Sequence, residues 1–179
     1  MMSRLGFLLT LVLAAVAAAG CQAGPATDPE QDTVAIYAAV IRRLYGPDDT
    51  FGGTLQPPTL YIIRATDDSA ANPSTPTPHS AVIPETVQQG ITTALADLPA
   101  KIVWVDRRDS VALEPVTRRV PGGGAMITLG NIQFTSRDRA LVPGSIYIGI
   151  LAAGGTTYVI QKADGVWHYT GNNGASWIS

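Results

Sequence analysis

SIYIGILAAGGTTYVIQKADGVWHYT, residues 145–170, decides the fold. Three runs rich in β-branched and aromatic residues, 145–151, 156–162 and 166–170, are separated by Gly154-Gly155 and Asp164-Gly165. Both dipeptides suit two-residue hairpin turns, whose central positions require positive φ. A three-stranded antiparallel meander is therefore expected, and its register follows from the turns. Lys162 faces Trp167, Ile160 faces Tyr169, Leu151 faces Tyr158, and Gly149 faces Ile160 from the other side. Side chains alternate along a strand. One face should then carry Tyr147, Leu151, Tyr158, Ile160, Trp167 and Tyr169, and the other Ile146, Ile148, Ile150, Val159 and His168. A slip of one residue exchanges the two faces.

Before this region, residues 125–134 read as a strand interrupted near Gly130-Asn131, and 101–106 as another. The strand at 59–65 has apolar residues on both faces, which places it inside a sheet covered on part of each side. Two segments have helical spacing. Tyr37, Val40, Ile41 and Leu44 share one face of a first helix, capped by Asp32 or Thr33 and stopped by Gly46-Pro47. Val87, Ile91, Ala94, Leu95 and Leu98 form the stripe of a second, with Pro84 as its first residue and Pro99 ending it. Residues 48–58, 66–80 and 107–124 read as loops, the second rich in Pro, Ser and Thr and able to stay disordered. Segregated helices and strands indicate an α+β fold, with two helices packed on one face of a curved, mainly antiparallel sheet that ends in the meander. This order is similar to that of NTF2-like and cystatin-like cone folds. The stretch GGTTYVIQKADGVW, residues 154–167, is also similar to the ends of many bacterial secreted proteins. Neither resemblance implies a function.

At the other end, Arg4 precedes an uncharged apolar run from Leu5 to Gly20, followed by Cys21. A basic start, an apolar middle and small residues at the end are the layout of a secretory signal. Ala18-Ala19-Gly20-Cys21 resembles the lipobox of bacterial lipoproteins, with Ala18 where Leu is more usual. The resemblance implies cleavage before Cys21, acylation of its thiol, and anchoring of the exported chain to the bacterial cell membrane. Cys21 is the only cysteine, so an internal disulfide is excluded. The expected organisation is a signal peptide at 1–20, an acylated Cys and flexible tether at 21–32, and one globular domain at 33–179.

Cleavage leaves 159 residues (179 − 20), enough for one domain with a real core. Removing Arg4 leaves 11 basic and 14 acidic residues, a net charge of about −3. That is too mild to suggest nucleic acid, and too acidic overall for a general anionic-lipid surface.

The residues offer little chemistry. With two histidines, His79 and His168, and the one cysteine assigned to the anchor, neither a metal site nor a cofactor is indicated. Asp48-Asp49 and Asp67-Asp68 lack the spacing of a calcium loop, and read as solvated acids. Gly122-Gly123-Gly124 precedes a strand rather than a helix, so it does not suit phosphate. No nucleophile motif occurs. Two constellations remain. Arg107, Arg108, Arg118, Arg119, Arg137 and Arg139 are candidates for an anion-binding rim, although scattered solvated charges on two loops are the simpler reading. Tyr147, Tyr158, Trp167 and Tyr169, with His168 alternating among them, are candidates for a ligand face, or for core beneath a helix. The leading expectation is a lipid-anchored extracytoplasmic protein that binds a small ligand or an envelope protein. The alternatives are a cone-fold enzyme using His168 in acid–base work and a structural envelope component.

Overall fold

The computed structural model describes residues 28–46, 56–74 and 79–179. The signal peptide, Cys21, residues 22–27 of the tether, Pro47 and residues 48–55 and 75–78 lie outside the described residues.

Helix α1 (Pro29–Tyr45) starts four residues earlier than its sequence spacing suggests. The local chemistry explains this. Asp28 accepts a hydrogen bond from the Glu30 amide at 3.0 Å, Pro29 occupies the first turn, and Glu30 and Asp32 place negative charge there. The segment assigned to the tether therefore contributes its last residues to the domain. Tyr37, Val40, Ile41 and Leu44 are all buried, as the stripe requires. Helix α2 (Glu85–Ala94) has Pro84 at its cap rather than inside it and stops before Leu95, leaving Ala94 exposed. Gly90 of α2 lies against Val34 of α1. Arg42 fastens the pair, reaching Asp97 at 2.5 Å and the Ala94 carbonyl at 2.7 Å.

The strands are β1 (Thr59–Ile63), β2 (Lys101–Val105), β3 (Ala125–Leu129), β4 (Gln133–Ser136), β5 (Arg139–Gly149), β6 (Ala152–Ala163) and β7 (Val166–Ile178). They form one sheet in the order β2-β1-β3-β5-β6-β7, with β4 paired to β5. β1 is parallel to β2 and β3, and every other pairing is antiparallel. The fold is α+β, with two helices on a mainly antiparallel sheet and a C-terminal meander β5-β6-β7. The main core lies under the helices, built from Leu60, Ile62, Ile127, Leu129, Ile146 and Ile160 against Ile36, Ile41, Leu44 and Ile91.

The expected register holds for one hairpin. Asp164 and Gly165 form the β6–β7 turn at φ 51° and 81°, pairing Lys162 with Trp167 and Ile160 with Tyr169. The other turn lies elsewhere. Ile150 and Leu151 make it, while Gly154 and Gly155 sit inside β6. Tyr158 pairs with Val142 rather than Leu151, and Ile160 with Ala140 rather than Gly149. The displacement is nine residues (151 − 142), an odd number, so the faces of β5 are exchanged. Ile146 and Ile148 enter the core, and Tyr147 joins the opposite face. The faces expected on β6 and β7 stand, with Tyr158, Ile160 and Trp167 buried.

The helix-free face is partly covered by two excursions. Residues 106–124 bring Val111 and Val120 over Met126, forming a small second core. The described part of 66–80, a stretch expected to be a surface loop, carries a 3-10 helix, Asp68–Ala71, with Ala70 and Ala71 buried against the sheet. Asn131 holds this segment: its amide and side chain donate to Asp68, and its side-chain oxygen accepts from Thr66 at 2.8 Å.

Candidate ligand groove

The helix-free face carries a groove of about 420 Å³. Two cross-strand rows make its floor. Met126 of β3 pairs with Tyr147 of β5, and Thr128 pairs with Ser145. These positions alternate with Ile127 and Ile146, which point into the main core, so all four face away from the helices. The second row continues across the sheet, because Ser145 pairs with Gly155 and Gly155 with Trp177.

Gly155 shapes one wall. With no side chain there, the Ala70 carbonyl lies directly over the sheet and accepts the Trp177 indole N–H at 3.0 Å. Asp67 and Ser69 line this wall, and Asp67 Oδ1 accepts the Ser69 amide at 2.8 Å and hydroxyl at 2.6 Å. The opposite wall is Arg107 and Arg108, just beyond β2. The Arg108 guanidinium lies 4.1 Å from the centre of the Tyr147 ring, and the Tyr147 hydroxyl donates to the Arg118 carbonyl at 2.8 Å. Arg107 pairs with Asp109 at 2.5 Å. Among the described residues the Thr128 and Ser145 hydroxyls, both half-buried on the floor, take part in no hydrogen bond.

The aromatic set is thus divided by the sheet. Tyr147 belongs to the groove, whereas Tyr158 and Trp167 lie in the core beneath α1, with Tyr169 packed edge-on against Tyr158 at 6.0 Å. Trp167, His168 and Tyr169 also border a shallower depression of about 340 Å³ beside Ala35, Ala39 and Arg43. Arg43 stacks on the Tyr169 ring at 4.9 Å. His168 is exposed, opposite Gln161. Below it, Asp32 accepts hydrogen bonds from Lys162 Nζ and the Trp167 indole, each at 2.8 Å. Burial pushes the Asp32 carboxyl up, but these two donors and the Lys162 charge outweigh it and hold the group below its ordinary value.

The arginines also separate. Arg107, Arg108 and Arg118 border one open hollow beside the groove, and Arg119 lies against Gly149. Arg137 and Arg139 belong to the β4–β5 hairpin. Arg139 stands eight residues (147 − 139) from Tyr147 along β5, about 27 Å at 3.4 Å per residue, so one rim of six does not form. Thr128, Ser145, Trp177 and Ser69 had no distinguishing signal in the sequence, and Asp67, expected to be a solvated acid, is half-buried and caps the 3-10 helix. Among the described residues no group of three or more His, Asp or Glu stands in a metal-holding arrangement, and no helix is long and apolar enough to cross a membrane.

Compared with protein-family models, curated proteins and solved structures, the chain finds no match.

Proposed function

We propose that the chain is a binding module, carried outside the cytoplasm on a lipid anchor at Cys21, that takes a small polar ligand in the groove on its helix-free face. The observation carrying the reading is the groove itself. At about 420 Å³ it lies within the range of small-molecule sites, roughly 300–1,000 Å³. Its lining combines an aromatic ring, an indole, two hydroxyls without partners and a guanidinium stacked for reach. Polar groups placed beside apolar surface are what fixes a ligand's orientation. A purely structural envelope component would have no use for such a cavity. The acid–base alternative gains no support from His168, which is exposed and accompanied by no carboxylate in hydrogen-bond contact among the described residues.

The test is a small-molecule stability screen run on the native chain and on Ser145→Phe, which fills the floor. Compounds that raise the native melting temperature should lose their effect in the filled variant. Stabilisation that is equal in both proteins would sink the groove as the binding site.

A further inference from the structure

We propose that the groove selects a small zwitterion, with its anionic group on Arg108 and its cationic group on Asp67; this rests on the reading of the groove as the ligand site. Three charged side chains line it: Asp67, Arg107 and Arg108. Arg107 pairs with Asp109 at 2.5 Å, which leaves one charge of each sign without an ion-pair partner among the described residues. Asp67 and Arg108 form no ion pair with each other, although they border the same cavity. Arg108 stands over the Tyr147 row, whereas the Asp67 amide donates to the Leu129 carbonyl at 2.8 Å, next to the Thr128 row. Asp67 is held by its hydrogen bonds to Ser69, which use one carboxylate oxygen and leave the other. Arg108 is held over the Tyr147 ring, a contact that occupies its face and leaves its N–H edge available.

Charge balance then chooses the ligand class. A simple anion on Arg108 would face the Asp67 carboxylate across the groove, and a simple cation on Asp67 would face Arg108. A molecule carrying both charges satisfies both walls. The floor suits its middle. The Tyr147 and Ser145 rows are two residues apart, about 7 Å, and the Ser145 and Thr128 hydroxyls between the walls can pair with an amide or hydroxyl.

The experiment is titration calorimetry on the purified full chain with glycine, β-alanine, γ-aminobutyrate and glycylglycine, a series of increasing charge separation. Each is repeated with its N-acetyl and C-amide forms. At least one zwitterion should bind, and blocking either charge should weaken it tenfold or more. Arg108→Gln should reduce binding to the level of the amide form, and Asp67→Asn to that of the N-acetyl form. Asn retains the capping acceptor, and circular dichroism confirms that each variant is folded. The proposal is overturned when no zwitterion in the series binds, or when blocked forms bind as well as the free ones. Blocked forms whose binding disappears in Ser145→Phe would overturn the charge pairing while keeping the groove. Binding indifferent to Ser145→Phe would remove the groove reading and this proposal together.

Discussion

The carbonyl of Ala70 rests on Gly155, and a single methyl group at that glycine would collide with it. A Cβ there would also lie 2.7 Å from the Trp177 indole nitrogen and 2.9 Å from the Gly144 carbonyl oxygen. Backbone groups cannot swing aside as a flexible side chain can. Gly155→Ala should therefore lift the Asp68–Ala71 segment off the sheet, at a cost of about 2–3 kcal/mol for overpacking. A fall of about 5–10 °C in Tm is expected for a domain of this size. Trp177 should lose its acceptor, seen as a red shift in its emission. An unchanged Tm would mean that the 3-10 segment does not sit where it is described.

Asp32 ties the first turn of α1 to the β6–β7 hairpin. Its side chain and that of Lys162 are 20% and 12% exposed. Asp32→Ala should cost about 2 kcal/mol, the scale of hydrogen bonds to a charged group. The acid response should change with it. A carboxyl held below its ordinary value contributes stability that is complete above the unfolded value, near 4, and is lost as pH falls through the folded value. Acid titrations of both proteins should therefore converge at low pH. A constant gap from neutrality to full acid unfolding would count against the ion pair.

Tyr37 supplies the alkaline counterpart. Burial, and then the negative charge of Asp68, push its hydroxyl up to about 12, while the hydroxyl donates to the Gly130 carbonyl at 3.2 Å. A raised value stabilises the fold below the unfolded value, about 10, and that contribution disappears as pH rises toward 12. Tyr37→Phe should cost about 1 kcal/mol at neutral pH and lose less stability than the native chain between pH 10 and 12. Parallel stability curves for the two proteins through that window would contradict this role.

Cys21 carries the anchoring proposal. Expression in a bacterium with labelled palmitate should label the native chain and send it to the membrane fraction. Cys21→Ser should be neither labelled nor retained there. Equal membrane retention of the two proteins would dispose of the anchor.

The sequence disclosed what local rules govern. The 3.6-residue spacing of Tyr37, Val40, Ile41 and Leu44 has one interpretation, and all four are buried. Asp164-Gly165 set its turn because both residues adopt positive φ there. Gly154-Gly155 looked the same on paper and is not a turn, because glycine is also used where backbone must approach backbone, and a string of letters does not distinguish the two uses. That ambiguity moved Tyr147 to the wrong face and concealed its partnership with Arg108. The groove was hidden for a related reason. Thr128 and Ser145 matter because β3 and β5 set them side by side, and Asp67 because Asn131 and Ala70 hold its segment against the sheet. Nothing within a few residues of any of them records those meetings.

The early start of α1 has a mechanical consequence for the proposed anchor. With helix from Pro29 onward, only residues 22–28 would separate an acylated Cys21 from the folded domain. Seven residues (28 − 21) reach about 25 Å at full stretch. A domain of some 150 residues has a radius of gyration near 15 Å. Such a body is about 40 Å across, so the leash would be shorter than the domain it holds, and Asp32 ties the helix that follows it to the β6–β7 hairpin. On the proposed anchor, such a protein would stay within a thin layer next to the bilayer, and a ligand leaving the groove would be released into that layer.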